Sequence, residues 1–401
     1  MRQEIGERAP LAAPTIPASA PTSRAAPARL GFVDGLRALA ALYVMASHIM
    51  LEIWPRALPG GLAGALAAPL FYGHQAVSVF IVLSGFSLML PVARNANRLP
   101  WGVWGFYWRR AKRILPPYYF AMGLALLLIW LFIGQKTGTP WDSTLPVTGQ
   151  AVIEHIFLLQ DVSHLNPARI NHVFWSIAME WQIYLLFPAL VLLWRRYPPL
   201  FAMPLITAAS FALMFALVPT WIGQTPGYAA VAFAPQYIGL FAMGMFAASL
   251  HTVPSPRWGR LRDRYLWDAV AVACFALLVV ALPGERIYLL DPLTGLMTVG
   301  LLLAASRPGA NPIRAALEWR PLVWVGGFSY SLYLIHAPLV QLIWQYSLHP
   351  LGLTGLPAFL ALLLVGGPLI AAASWLFWYC CERPFLNSNS RNPRPPRTIR
   401  K

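Results

Sequence analysis

The chain has 401 residues, 58% of them hydrophobic and only 11% charged, with 17 Trp and 21 Phe. A soluble domain carries roughly a quarter charged residues. The composition therefore excludes an ordinary soluble enzyme and points to an all-α protein that faces lipid over most of its length. The formal net charge of +16 does not by itself indicate nucleic acid, because the positive residues are distributed by loop.

Residues 1–30 are rich in Ala, Pro, Ser and Arg and contain no apolar run. They are expected to form a disordered tail, and they lack the pattern of a signal peptide. Residues 31–386 then hold ten apolar runs of about the 20 residues that span a bilayer. They lie near 32–51, 74–92, 115–134, 173–194, 199–217, 229–250, 267–283, 287–305, 322–345 and 356–379. Only the short Arg195–Pro198 turn separates the fourth from the fifth, and Asp291-Pro292 is expected to break or delay the eighth. A basic tail, 387–401, closes the chain.

Of the 30 Lys and Arg, 25 fall on the two tails and on alternate loops, whereas the other loops hold only Arg56, Lys136, Arg169 and Arg286. Positive residues mark cytoplasmic loops. The expected topology is a bundle of about ten transmembrane helices with both termini in the cytoplasm. The longest outer loop, roughly 135–172, contains Trp141, Asp142, Glu154, His155, Asp161, His164 and His172. Cys274, Cys380 and Cys381 show no disulfide or ligand spacing, and no set of side chains has the spacing of a metal site.

The first run, GFVDGLRALAALYVMASHIM, carries Asp34, Arg37 and His48, and ionisable groups inside a span usually mark function. His48 follows Arg37 by eleven residues, which is three turns plus about 20°, or roughly 16 Å along one face. Arg37 is then near the inner side and His48 towards the outer side. Asp34 can pair with Arg37 or cap the helix start. The plainer alternative is that Arg37 snorkels and His48 packs at the interface.

The second run includes SVFIVLSGFSLML, where Ser84-Gly85 lets a helix or a ligand approach closely. Before the third run comes GFYWRRAKRILPPYYF, with Arg109, Arg110, Lys112 and Arg113. These four suit a phosphorylated group or acidic lipid headgroups. Pro116-Pro117 are expected to start the third helix. In the fourth run, HVFWSIAMEWQIYLLFP, Glu180 lies about 12 Å deep. It needs a partner: Arg37, His48 or its own proton. In the ninth, Tyr330, Tyr333 and His336 are expected to make interhelical hydrogen bonds, with Tyr333 and His336 on one face.

Six segments in order resemble the acyltransferase family 3 integral-membrane O-acyltransferases. They are DGLRALAALYVMASH, SVFIVLSGFSLML, RRAKRILPPYY with Arg110 and Arg113 in register, HVFWSIAMEWQIYLLFP with Trp175, Ser176, Glu180 and Tyr184 in register, FSYSLYLIHAPL, and CERPF. The resemblance covers about residues 30–385. One departure is Trp181-Gln182, where members often have Glu-Gln, so a second carboxylate is missing. Some members carry a further soluble transferase domain; here the acyl transfer is expected within the membrane domain.

The resemblance implies an enzyme of the cell membrane that moves an acyl group, commonly acetyl, from acyl-CoA to a hydroxyl of a glycan or of a glycosylated small molecule such as a macrolide. No nucleic-acid partner and no metal are implied. His48 is the expected general base or a transient acyl carrier. Arg37 would orient the donor or stabilise charge, and Glu180 would orient a basic partner. Arg109, Arg110, Lys112 and Arg113 would hold the CoA phosphates, with Asp34, Ser84, Tyr330, Tyr333 and His336 in support. The competing reading is an exporter or flippase of a glycan or acylated lipid.

Overall fold

A computed structural model describes residues 30–162, 167–217, 234–252, 256–263, 265–281 and 287–386. The two expected tails, apart from Leu30, and His164 lie outside these residues. The secondary structure among the described residues is helical throughout.

The main helices are α1 (Gly31–Ile53), α2 (His74–Ala93), α3 (Gly102–Ile133), α4 (Trp175–Arg196), α5 (Pro199–Leu217), α6 (Gln236–Thr252), α7 (Leu266–Ala281), α8 (Ile287–Ser306), α9 (Ser329–Leu348) and α10 (Gly355–Phe385). Among the described residues, seven helical stretches are long and apolar enough to cross a membrane. An eighth arises if Arg320–Gly326 and α9, which meet at 75°, count as one broken span. The expected sixth and seventh runs correspond to α6, described over 17 residues, and α7, over 16. Large apolar side chains such as Trp130, Val272, Val280 and Leu364 remain exposed on these helices, as a lipid-facing belt requires. Closed helical hydrogen bonding leaves no backbone group to be satisfied by lipid.

Two expected boundaries are corrected. Pro116-Pro117 do not start α3: the helix begins at Gly102 and runs through both. A proline costs a helix one backbone donor, and neighbouring helices in a bundle can re-satisfy the freed carbonyls. Tyr330 Oη on α9 donates to the neighbouring carbonyl of Ile114 at 3.1 Å, next to the carbonyls of Lys112 and Arg113 that the two prolines free. The basic cluster therefore lies on a helix rather than in a loop. Nor does Asp291-Pro292 break α8, which is helical from Ile287 to Ser306. The Asp291 carboxylate is buried and accepts from Ser78 Oγ at 2.8 Å and Gln236 Nε2 at 3.3 Å, which ties α8 to α2 and α6.

α2 and α6 cross in close backbone contact. A Cβ on Gly85 would lie 2.1 Å from the carbonyl oxygen of Phe241, and one on Gly244 would lie 2.0 Å from that of Val82. Small residues on both sides allow this backbone contact. It sets the height of Ser84 beside the site. The segment between α3 and α4 is not a loose loop. Trp141, His155, Asp161 and His172 are buried against the bundle, and the short helix Gly149–Phe157 is capped by Thr148 Oγ1 accepting from the Ala151 amide.

Candidate functional site

α1 begins beside Leu30 without a side-chain cap. Asp34 instead pairs with the guanidinium one turn on, at 3.3 Å from Arg37 Nη1. Arg37 Nη2 donates to Ser87 Oγ on α2 at 2.7 Å, and Ser87 in turn donates to the Leu83 carbonyl. Arg37 is thus aimed between α1 and α2, into a cavity of about 440 Å³. Arg37, Arg94, Arg110 and Arg113 line this cavity, together with Glu180, Tyr184, Ser84, Tyr330 and Glu382. Four guanidinium groups thus line one space.

The helical start of α3 sorts the basic cluster. Arg110 and Arg113 are three residues apart and share a face, and both line the cavity. Arg109 and Lys112 share the neighbouring face. Arg109 lies 3.9 Å above the ring of Trp101, and Lys112 is exposed. Trp104 and Trp108 beside them are 84% and 72% exposed, the placing of an interfacial anchor. The buried Nε of Arg110 has no hydrogen-bond partner among the described residues, so the cavity leaves room for an anionic group there.

Glu180 stands on the α4 wall. Its Oε1 accepts from both Ser84 Oγ and Tyr184 Oη, which are themselves 2.7 Å apart. No hydrogen bond joins it to His48 among the described residues. Glu382, from the closing CERPF segment, also reaches the cavity and accepts from Ser331 Oγ at 2.5 Å.

Phe80, Ser176 and Tyr333 also line the cavity. Tyr333 Oη shares a hydrogen bond of 2.6 Å with Ser176 Oγ, and its ring packs on Phe80. Beyond it lie three histidines. His48 Nδ1 and His336 Nε2 are 2.7 Å apart, and His336 Nδ1 is 2.8 Å from the Tyr333 carbonyl and 3.0 Å from that of Leu332. His172 meets His48 edge to face, with centroids 4.9 Å apart and planes at 88°. Burial, with His336 nearby as the second cause, pushes the His172 imidazole down to about 3. Its buried Nδ1 has no partner among the described residues. Glu52, one turn beyond His48 on α1, is likewise buried with an unpartnered Oε1.

The structure therefore brings the expected residues into two groups, with Arg37 of α1 in one and His48 of α1 in the other. Asp34, Arg37, Ser84, Arg110, Arg113, Glu180, Tyr330 and Tyr333 line the cavity. His48 and His336 are not part of its lining and sit next to Tyr333, whose ring is 5.8 Å from that of His336, and Arg109 and Lys112 stay outside. Arg94, Tyr184 and Glu382 at the cavity, and Glu52 and His172 at the histidines, were not singled out from sequence as site residues. Glu382 lies in the quoted CERPF segment and Tyr184 was in register with the family, so both carried a signal. Among the described residues, no group of three or more His, Cys, Asp or Glu could hold a metal ion.

The profile of a family described as an acyltransferase domain matches residues 30–379. The chain is 24% identical over 330 residues to the peptidoglycan O-acetyltransferase OatA of Listeria monocytogenes, covering 77% of this chain and 49% of that protein. It is 24% identical over 347 residues to the O-acetyltransferase OatA of Staphylococcus aureus, covering 80% and 52%. It is 27% identical over 336 residues to the acyltransferase MdmB of Streptomyces mycarofaciens, covering 78% and 79%. The chain spans about half the length of the OatA proteins. No solved structure matches it.

Proposed function

The chain belongs to acyltransferase family 3, and we propose that it is an integral-membrane O-acyltransferase that moves an acetyl group from acetyl-CoA to a hydroxyl of a glycan or of a glycosylated small molecule. The observation that carries this reading is the cavity where Arg37, Arg94, Arg110 and Arg113 meet, with the unpartnered Arg110 Nε inside it. Guanidinium groups match phosphate oxygens. The positive-inside pattern of the sequence supports a cytoplasmic basic end, where acyl-CoA is made, with both termini on that side.

The donor enters from the basic end. Arg110 and Arg113 hold its phosphates, and Glu180, fixed by Ser84 and Tyr184, orients Arg110. Arg37 lies one level deeper and aligns the arm. The thioester passes Phe80 and Tyr333 towards His48, about 16 Å further along α1. The acceptor hydroxyl comes from the far end and gives its proton to His48. Its oxygen bonds the acyl carbon, the C–S bond breaks, and the proton passes from His48 to the CoA thiolate. The products are the ester and free CoA.

The test is thiol release from acetyl-CoA by the purified protein, with a panel of peptidoglycan fragments, other glycans and macrolides. Acceptor-dependent release with one acylated product supports the reading and names the acceptor. Absence of release with acetyl and longer acyl donors, alongside glycan flux in vesicles, would put the exporter first.

A further inference from the structure

On the reading that His48 is the base, which this inference deepens, we infer that His336 is the positioning residue that fixes the tautomer of His48, leaving Nε2 as the atom that takes the hydroxyl proton. His336 Nδ1 faces two backbone carbonyls, Tyr333 at 2.8 Å and Leu332 at 3.0 Å. A carbonyl can only accept, so His336 carries its hydrogen on Nδ1. A neutral imidazole has one hydrogen, so His336 Nε2 is a lone pair. That lone pair is 2.7 Å from His48 Nδ1, which must therefore be the donor. His48 then has its own lone pair on Nε2.

The ring geometry agrees. The planes of His48 and His336 differ by 8° and their centroids are 4.9 Å apart. The 2.7 Å between nitrogens is shorter than the ~3.5 Å that atoms of face-to-face rings keep. The rings therefore lie edge to edge in nearly one plane, which is the arrangement of a straight N–H···N bond. His172 stands against His48 at 88° and blocks rotation of the ring out of that plane. Among the described residues, no hydrogen-bond partner takes His48 Nε2, so it is left for substrate.

The other tautomer of His48 would set two lone pairs 2.7 Å apart in a buried pair, losing the bond on both sides. When Nε2 takes the hydroxyl proton, the Nδ1–H bond to His336 becomes charge-assisted and stronger. His336 thereby stabilises the imidazolium only as the reaction proceeds, which is where binding energy raises kcat. The role is that of the orienting partner in a nucleophile–base–orienter array, filled by a neutral imidazole that two main-chain carbonyls polarise.

Two substitutions separate this role from a simple packing role. The side-chain amide of His336→Asn occupies the Nδ1 region: it keeps the carbonyl bonds but does not reach His48. In His336→Gln, the amide oxygen reaches the Nε2 position and accepts from His48, while the carbonyl bonds are given up. The expected result is a fall in kcat of about 10²-fold or more for Asn, with the KM for acetyl-CoA unchanged. The Gln variant should recover kcat to within about tenfold of wild type. If the Asn variant keeps wild-type kcat, or if Asn and Gln fall together with the thermal midpoint, His336 is a staple between helices and the inference is overturned.

Nitrogen-15 spectra of histidine-labelled wild-type protein, with His48 assigned by its absence in His48→Gln, decide the tautomer without any turnover. A protonated Nδ1 and bare Nε2 support the inference, and a protonated Nε2 overturns it. A wild type that turns over no acyl donor would instead refute the proposed function, and the spectra would still decide the tautomer.

Discussion

The crossing of α2 and α6 offers a test that connects packing to the site. Gly85→Ala puts a Cβ 2.1 Å from the Phe241 carbonyl oxygen, against a normal C···O approach of about 3.3 Å or more. The obstacle is backbone, so no side chain can turn aside, and the helices must part by roughly 1 Å. Overpacking of this kind costs about 1–3 kcal/mol. Ser84 is the adjacent residue, and its bond to Tyr184 is 2.7 Å. A shift of that size carries it towards 3.6 Å, where a hydrogen bond no longer exists. Gly85→Ala should therefore lower both the thermal midpoint in detergent and the turnover of acetyl-CoA. Gly123→Ala is the control: a Cβ there meets nothing within 4 Å, and alanine is the better helix former by about 1 kcal/mol. A Gly85→Ala protein that melts with wild type, or ranks with Gly123→Ala, would refute the reasoning.

The helical placing of the basic cluster makes a second prediction. Arg110→Ala and Arg113→Ala should each weaken acetyl-CoA binding at least tenfold in calorimetry, while Arg109→Ala and Lys112→Ala change it less than about twofold; equal losses from all four would mean a diffuse field. Tyr184→Phe removes one of two hydroxyls from the Glu180 carboxylate, a bond to a charged group worth about 1.5–3 kcal/mol. It should raise the KM for the donor more than it lowers kcat, and an unchanged KM would separate Glu180 from donor binding. Asp161 gives a pH test. Burial raises its carboxyl from 3.8 to about 7, against the opposing bond from Gln182. The folded protein thus holds a proton that the unfolded chain loses, so this group's contribution to stability falls as pH rises from about 4 to about 7. Asp161→Asn should remove that decline from the thermal midpoint, and an unaltered pH profile would contradict the burial argument.

Much of the site could be read from the chain because its spacing is helical. Arg37 and His48 lie on one stripe by their separation alone, and the R-x-x-R spacing of Arg110 and Arg113 places both on one face. What escaped depended on partners far along the chain. His48 meets His336 across 288 residues, and His172 reaches both because the segment before α4 folds into the bundle. Glu180 had three candidate partners by depth, but its position opposite Ser84 is decided by the Gly85–Phe241 crossing, which no local pattern reveals. The start of α3 was misread for a local reason. Pro116-Pro117 fit a first turn well, but a bundle can also carry them inside a helix when other groups satisfy the freed carbonyls.

The most direct test of the central claim compares wild type with His48→Ala in a single assay. Each purified protein is given acetyl-CoA and the acceptor identified in the thiol screen, and the acceptor's mass is followed with time. If His48 is the base, wild type adds acetyl groups while His48→Ala adds them at least about 10²-fold more slowly, with acetyl-CoA binding intact. Acetylation by His48→Ala at the wild-type rate would contradict the account and move the chemistry elsewhere in the bundle.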